Sequence, residues 1–113
     1  ESKIEIEIID DFKISADLDY LSIVIKNLID NALKYASSFP VLISVEKNKV
    51  SILNNGAKLS KDFEYYLKPF TQELSQRDGF GLGLSIVKKI IDRHNFKLEY
   101  SHKNGMNIFK IIF

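Results

Sequence analysis

Two stretches of this chain combine residue types that suit a nucleotide: amides, a lysine and closely spaced glycines. Residues 27–35 read N-L-I-D-N-A-L-K-Y, and residues 79–84 read G-F-G-L-G-L. The first stretch has a helical pattern, and at ~100° per residue Asn27, Asn31 and Lys34 share one stripe beside its apolar residues. An unpaired amide beside a core is costly, so the two amides either cap neighbouring loops or bind a ligand. An amide oxygen suits Mg²⁺, which takes hard oxygen ligands and keeps waters and phosphate oxygens.

The glycine run precedes a periodic helix, so its backbone N–H groups and the helix dipole favour an anion. Glycines also mark ordinary turns, so the run by itself is a weak signal. It is not a P-loop, because no G-K-[S/T] follows, and its G-x-G-x-G spacing after a predicted loop differs from the dinucleotide fingerprint. The H-R-D and D-F-G motifs of eukaryotic-type protein kinases are absent from the sequence.

Length and composition limit the other possibilities. The 113 residues suffice for one domain, and 45% hydrophobic with 27% charged residues is typical of a globular protein. The net charge of +1 gives no reason to expect a nucleic-acid or acidic membrane partner. The absence of cysteine excludes disulfides and thiolate metal sites and fits a reducing cytoplasm. Apolar runs are far shorter than the roughly 20 residues that span a bilayer. The acidic, alternating opening predicts a strand cut from a larger protein, so we expect a fragment.

Hydrophobic periodicity predicts the order strand, helix, two strands, short helix, long helix, two strands. The predicted strands are 3–9, 41–46, 49–53, 96–102 and 107–113, and the predicted helices are 18–36, 60–67 and 82–94. Tight turns are expected at Lys47-Asn48 and Asn104-Gly105. The order predicts an α+β fold: a two-layer α/β sandwich with a mixed sheet of about five strands and three helices on one face.

Capping and turn-forming residues indicate where these elements begin and end. Ser15 and Asp17 offer N-cap side chains to the first helix, and Ser60 offers one to the short helix. Asn95 suits a left-handed position after the long helix. Residues 54–56, N-N-G, are expected to break the third strand.

In this order, these motifs resemble the ATP-binding catalytic domain of bacterial sensor histidine kinases, in the wider group with gyrase, Hsp90 and MutL (the Bergerat fold). The resemblance covers nearly the whole chain, from residue 4 to residue 113. Residues 27–35 resemble the family's N box, 68–70 its F box and 79–84 its second glycine box. Residues 105–109 resemble a degenerate version of the family's last glycine-containing strand.

The resemblance implies roles for individual residues. It makes Asn31 the Mg²⁺ ligand, puts Asn27 near the phosphates and Lys34 in contact with them, and packs Tyr35 by the adenine. Phe70 would anchor the base of the ATP lid. The implied catalytic residues are Asn27, Asn31 and Lys34. The implied ATP-binding residues are Asn31, Lys34, Tyr35, Asn54, Gly56, Phe70, Arg77, Gly79, Phe80, Gly81, Leu82, Gly83 and Leu84.

The chain departs from the family at the first glycine box, which reads D-x-G-x-G in the family. Asn54 replaces the aspartate that accepts from the adenine amino group, and its amide oxygen can still accept but without a charge. Lys58 replaces the last glycine. The lid, about residues 71–78, is short, with Gln72 where many members carry arginine. Arg77 is expected to reach the γ-phosphate, or else to be a solvated lid charge.

Position 27 separates the branches of this group. Gyrase, Hsp90 and MutL have there a glutamate that acts as general base for ATP hydrolysis, whereas Asn27 cannot take a proton. Phosphoryl transfer to a protein is therefore favoured over hydrolysis. His94 is expected to cap a helix end and His102 to be exposed. Neither histidine has the family's phosphoacceptor context.

The resemblance thus implies a protein-histidine kinase that transfers the ATP γ-phosphoryl to a histidine on a separate helical hairpin, for relay to a response regulator. Its cofactors would be ATP and Mg²⁺. The fragment would be a monomeric cytoplasmic domain, and its parent a homodimeric inner-membrane sensor. Two alternatives remain: a degenerate scaffold without catalysis, motivated by Asn54, Lys58 and the short lid, and an ATP-hydrolysing clamp, which Asn27 disfavours.

Overall fold

A computed structural model describes residues 3–68 and 83–113. The elements within these ranges follow the predicted order. They are β1 (Ile4–Ile8), α1 (Leu18–Tyr35), β2 (Ser38–Glu46), β3 (Lys49–Asn55), α2 (Phe63–Tyr66), α3 (Gly83–Arg93), β4 (Lys97–Lys103) and β5 (Met106–Ile112).

The strands of the described residues form one five-stranded sheet in the order β1-β2-β3-β5-β4. β1 runs parallel to β2, and the other neighbours are antiparallel, so the sheet is mixed. α1 packs against α3 and against β2 and β3, and α3 contacts β4. Buried side chains of helices and strands form one hydrophobic core. The predicted α+β architecture is confirmed.

α1 forms for reasons that are visible in its sequence. At its start, the Asp17 carboxylate accepts hydrogen bonds from the backbone N–H groups of Asp19 (2.9 Å) and Tyr20 (3.3 Å), which confirms the predicted cap. Val24, Leu28 and Ala32 recur every four residues and are buried. The helix is therefore held against the sheet along its length, which orients the amides beside this stripe.

Three predicted details are wrong. β3 does not break before Asn54, because Asn54 and Asn55 continue to pair with β5. β2 begins at Ser38, and a register irregularity between Ser38 and Leu42 accommodates Pro40. Ser60 does not cap α2, whose N-cap is Asp62 without a side-chain cap bond.

The predicted turns are confirmed by backbone geometry. Asn48, Asn104 and Asn95 adopt φ values of 61°, 54° and 58°, and Gly105 has a φ of 75°. Asparagine tolerates this left-handed region better than other residues with a side chain. The turns consequently close the β2–β3 and β4–β5 hairpins, and Asn95 ends α3.

Within residues 3–68 and 83–113, each helix is too short or too polar to cross a bilayer.

Candidate nucleotide-binding site

The amide-rich face of α1 meets the N-terminus of α3. A Cβ atom added at Gly83 would lie 3.2 Å from Asn27 Oδ1 and 3.6 Å from Asn31 Nδ2. The two motifs that the sequence singled out are thus in contact at Gly83. A side chain at this position would press on Asn27, so glycine lets α3 begin directly against the amides.

Both amides use their nitrogen within α1. Asn27 Nδ2 donates to the Ile23 carbonyl (2.8 Å), and Asn31 Nδ2 donates to the Asn27 carbonyl (3.0 Å). Among the described residues, each amide nitrogen thus bonds a carbonyl of its own helix. The amide oxygen is an acceptor, which is the kind of atom that a metal ion takes.

An amide oxygen at Asn31 fits magnesium carried by a nucleotide. Asn31 is 7% exposed, so its side chain is held in one place beside Gly83. The described residues contain no group of three or more His, Cys, Asp or Glu side chains that could hold a metal. Mg²⁺ usually takes few protein ligands and completes its shell with phosphate oxygens and waters. One amide oxygen is consistent with that chemistry.

Lys34 and Tyr35 follow on the last turn of α1, and both are half-buried. The Lys34 Nζ atom lies 5.8 Å from the centroid of the Tyr35 ring. Tyr35 lies at the wall of a cavity of about 210 Å³. The cavity is lined by Tyr35, Ala57, Lys58, Leu59, Ser60, Lys61, Tyr65 and Tyr66.

Asn54 lies at the end of β3 and is 0% exposed. Its Nδ2 donates to the Asn55 carbonyl at 3.3 Å. Its Oδ1 is buried, and no group in the described part of the chain donates to it. A buried acceptor without a donor costs on the order of 1–3 kcal/mol, so this oxygen suits a ligand N–H.

Gly56, directly after β3, lies very close to the C-terminal end of α1. A Cβ atom at this position would lie 2.6 Å from the Tyr35 carbonyl oxygen, closer than real Cβ contacts come. The Gly56 N–H donates to the Gly105 carbonyl (3.1 Å), and the Ser37 N–H donates to the Asn55 carbonyl (2.7 Å). The chain after β3 is thus pressed between α1 and the β4–β5 turn, and only glycine fits there.

The sequence reasoning missed three residues beside the site. Asn107 Nδ2 donates to the Ala57 carbonyl (3.0 Å), and the Tyr100 hydroxyl donates to Asn107 Oδ1. His102, expected to be exposed, is half-buried, and its Nε2 donates to the Gly56 carbonyl (2.9 Å). Alternation identifies these residues only as strand positions, and nothing in their spacing indicates their distant partners.

Other predicted residues have simpler outcomes. Leu84 is 1% exposed and packs in the core, so only its backbone can face a ligand. His94 bonds the Ile90 carbonyl through Nδ1 (2.9 Å) at the end of α3, as a structural cap would. The remaining predicted contacts lie outside the described residues and stay predictions: Phe70, Arg77, Gly79, Phe80, Gly81 and Leu82.

Comparison with known proteins identifies the family. Residues 16–113 match the model of the histidine kinase-, DNA gyrase B- and HSP90-like ATPases. The chain belongs to this family. Among curated relatives of this ATPase domain, the sensor histidine kinase ArsS of Helicobacter pylori is 37% identical over 100 residues, covering 87% of this chain and 23% of ArsS. The chain therefore spans about a quarter of that relative.

Solved structures of the family share the fold. The histidine kinase AdeS of Acinetobacter baumannii superposes with a TM-score of 0.73 at 27% identity, covering 97% of this chain and 53% of AdeS. Full-length ShkA in complex with AMPPNP gives a TM-score of 0.80 over 96% of this chain and 24% of ShkA. At 23% identity, the likeness to ShkA concerns the fold alone.

Proposed function

We propose that this ATPase-family domain binds ATP·Mg²⁺ and transfers the γ-phosphoryl group to a histidine on a separate helical hairpin. From there the phosphoryl group would pass to a response regulator. The observation that carries the proposal is the contact of Asn27 and Asn31 with Gly83, which joins the amide face to the glycine-bearing end of α3.

The phosphates would lie at this contact, which we call the phosphate end. There the N-terminus of α3 contributes a positive dipole end to anionic oxygens. Asn31 would hold magnesium through Oδ1, and Lys34 would contact the phosphate oxygens. When bound, magnesium neutralises charge on the phosphates.

The adenine would lie at the other end of the site, which we call the base end, beside Tyr35 and Asn54. Asn54 Oδ1, to which none of the described residues donates, matches the exocyclic amino group of adenine, which is a donor. Membership of a family of ATPases supports an adenine nucleotide as the ligand. A neutral acceptor in place of a carboxylate predicts weaker affinity, by about 1 kcal/mol.

Transfer would depend on positioning rather than on a base of this chain. A histidine nitrogen attacks the γ-phosphorus in line, the bond to the β–γ bridging oxygen breaks, and ADP leaves with that electron pair. Asn27 cannot accept a proton from water, so it does not promote hydrolysis. The contribution of the domain is to fix the nucleotide and to stabilise charge as it moves.

The partners follow from the same proposal. The longer protein would supply the dimerising helical hairpin with its phosphoacceptor histidine, and would act as a homodimer. Curated relatives named sensor histidine kinases support this arrangement. We propose that the domain works in the cytoplasm and that the parent is an inner-membrane sensor.

Calorimetric titration with ATP, with and without Mg²⁺, tests the binding step. We expect saturable heat that is larger or tighter with Mg²⁺. Transfer is then tested with γ-labelled ATP and a phosphoacceptor hairpin supplied in trans. Absence of heat at millimolar ATP would contradict the proposal.

A scaffold function is the second candidate, because Lys58 occupies a position where the family has glycine and lines the cavity beside Tyr35. A scaffold without catalysis would retain the fold but would not bind ATP. The same titration separates the two: saturable ATP binding rejects the scaffold, and its absence favours it.

A further inference from the structure

The loop after β3, residues 56–59, is bonded at four points to the β4–β5 hairpin. Besides the Gly56 N–H bond to Gly105, the Gly56 carbonyl accepts from His102 (2.9 Å) and the Ala57 carbonyl accepts from Asn107 (3.0 Å). The Leu59 N–H donates to the Tyr100 hydroxyl oxygen (3.1 Å). This loop begins two residues after Asn54, so these contacts fix the chain next to the base end.

Tyr100 and Asn107 act as one unit. The Tyr100 hydroxyl donates to Asn107 Oδ1 while accepting from the Leu59 N–H. The Tyr100 ring packs 5.4 Å from Phe63 and 5.3 Å from Phe109, measured between centroids. Asn107 is 0% exposed. The hydroxyl and the amide are thus held by packing as well as by their mutual hydrogen bond.

Asn107 is also the direct strand partner of Asn54. Both amide nitrogens lie near the position that a Cβ would take at Gly56, at 3.1 Å for Asn54 and 3.5 Å for Asn107. Asn107 Nδ2 donates to the Ala57 carbonyl, and Asn107 Oδ1 accepts from the Tyr100 hydroxyl. These two bonds fix the orientation of the Asn107 amide beside its strand partner Asn54.

We infer that Tyr100 and Asn107 are positioning residues that set the selectivity for adenine, because they hold loop 56–59 and the strand segment beside Asn54 in one place. This inference rests on the proposed function. It assigns to the hairpin a role in base recognition, although Tyr100 and Asn107 act through Asn54 and the loop.

Selectivity between ATP and inosine triphosphate (ITP) tests this inference. ITP has the same ribose and triphosphate as ATP but carries an oxygen in place of the 6-amino group. The wild-type chain should prefer ATP, because Asn54 Oδ1 accepts from an amino group and repels a carbonyl. Tyr100→Phe removes only the hydroxyl and keeps the packed ring. We expect it to weaken ATP binding about fivefold, the scale of one hydrogen bond, and to leave ITP binding unchanged.

Asn107→Ala should reduce the preference for ATP at least as much. Because Asn107 is buried, however, this substitution can also impair folding. Circular dichroism and thermal unfolding therefore accompany each titration, and Tyr100→Phe decides if Asn107→Ala does not fold. Tyr20→Phe is the matched control. Tyr20 is 44% exposed on α1, where its ring contacts His94, so this variant should keep the wild-type ATP-to-ITP ratio.

The outcomes separate the inference from the proposed function. A lower ratio of ATP affinity to ITP affinity in Tyr100→Phe, with the ratio unchanged in Tyr20→Phe, supports positioning. An unchanged ratio, or an equal loss of affinity for both nucleotides, overturns it. A wild-type chain that binds both nucleotides equally overturns it too, while leaving ATP binding intact. A wild-type chain that binds neither overturns the proposed function itself.

Discussion

The two ends of the candidate site are built in different ways. At the phosphate end, Asn27 and Asn31 bond carbonyls one turn back in their own helix. At the base end, the loop after β3 is bonded to Tyr100, His102 and Asn107, which lie more than 40 positions further along the chain. The first end therefore forms whenever α1 and α3 pack, whereas the second requires the whole sheet to be assembled. Variants at the two ends should accordingly have different effects on binding and stability.

The largest effect is expected at the phosphate end. Asn31→Ala should lower phosphoryl transfer to a hairpin supplied in trans on the order of 100-fold, because it removes the proposed metal ligand. Stability should change little, since the lost hydrogen bond lies within one helix. Rates of label transfer from γ-labelled ATP provide the measurement. Normal transfer by Asn31→Ala would mean that Asn31 is not the metal ligand.

Lys34→Ala should also greatly reduce transfer, and Lys26→Ala is its matched control on the same helix. Lys26 forms an exposed ion pair with Asp30 (3.1 Å), and such pairs contribute little. We expect Lys26→Ala to transfer the phosphoryl group at nearly the wild-type rate.

At the base end, Gly56→Ala tests the close approach to α1. The added methyl would lie 2.6 Å from the Tyr35 carbonyl, so the loop must move away from the helix. We expect ATP binding to weaken at least about tenfold and stability to fall by about 1–3 kcal/mol. Calorimetry and chemical denaturation provide the two values.

Gly105→Asn is the control for this change. A Cβ atom at Gly105 would have no neighbour within 4 Å in the part of the chain that the structure describes, and asparagine tolerates the φ of 75°. Binding should therefore stay near wild type. If Gly56→Ala bound ATP as well as Gly105→Asn, the approach of loop and helix would be irrelevant to the site.

Asn54→Leu should separate binding from stability. It removes a buried oxygen to which no residue within 3–68 and 83–113 donates, so the unfolding temperature should not fall. Removing such an oxygen can stabilise by about 1 kcal/mol. ATP binding should weaken about fivefold, because the proposed acceptor for the amino group is lost.

The neighbouring Asn55→Ala provides a comparison, since the Asn55 amide already donates to Ser38 (3.1 Å) and should matter little to ATP. A large loss of stability in Asn54→Leu with unchanged affinity would make Asn54 a structural residue only.

The smallest effect on the site is expected from Asp17→Ala, which removes the cap of α1 far from both ends. We expect a loss of about 1 kcal/mol, seen as an unfolding temperature lower by about 5 °C, with unchanged ATP affinity. Ser15→Ala should change neither value. Altered affinity in Asp17→Ala would show that helix stability alone influences the site, and would weaken the distinction between its two ends.

The sequence predicted the parts of the molecule that depend on local pattern. Short stretches of sequence were enough to predict the period of α1, the Asp17 cap and the glycine run before α3. The same stretches singled out Asn31 and Gly83 as candidate site residues. The left-handed Asn95 and Asn104 were predictable because few residues adopt that conformation.

The base end was harder to predict because its interactions are long-range. The N-N-G run reads as a turn, yet pairing with β5 carries β3 through Asn55. His102 reads as an exposed strand residue, and only the folded sheet brings it to the Gly56 carbonyl. The partners of Asn107 depend on strand register and on a loop distant in sequence, which hydrophobic alternation does not encode.

Because Asn27, Asn31 and Tyr35 belong to one continuous helix, α1 fixes the separation between the two ends of the site. The eight helical rises from Asn27 to Tyr35 span ~12 Å along the axis. Inserting one residue between Asn31 and Tyr35 would rotate one end relative to the other by ~100°. If the nucleotide binds as proposed, the spacing of these residues must match the distance between its phosphates and its base. We therefore expect natural variation in this domain to keep the length of that segment even where it changes the side chains.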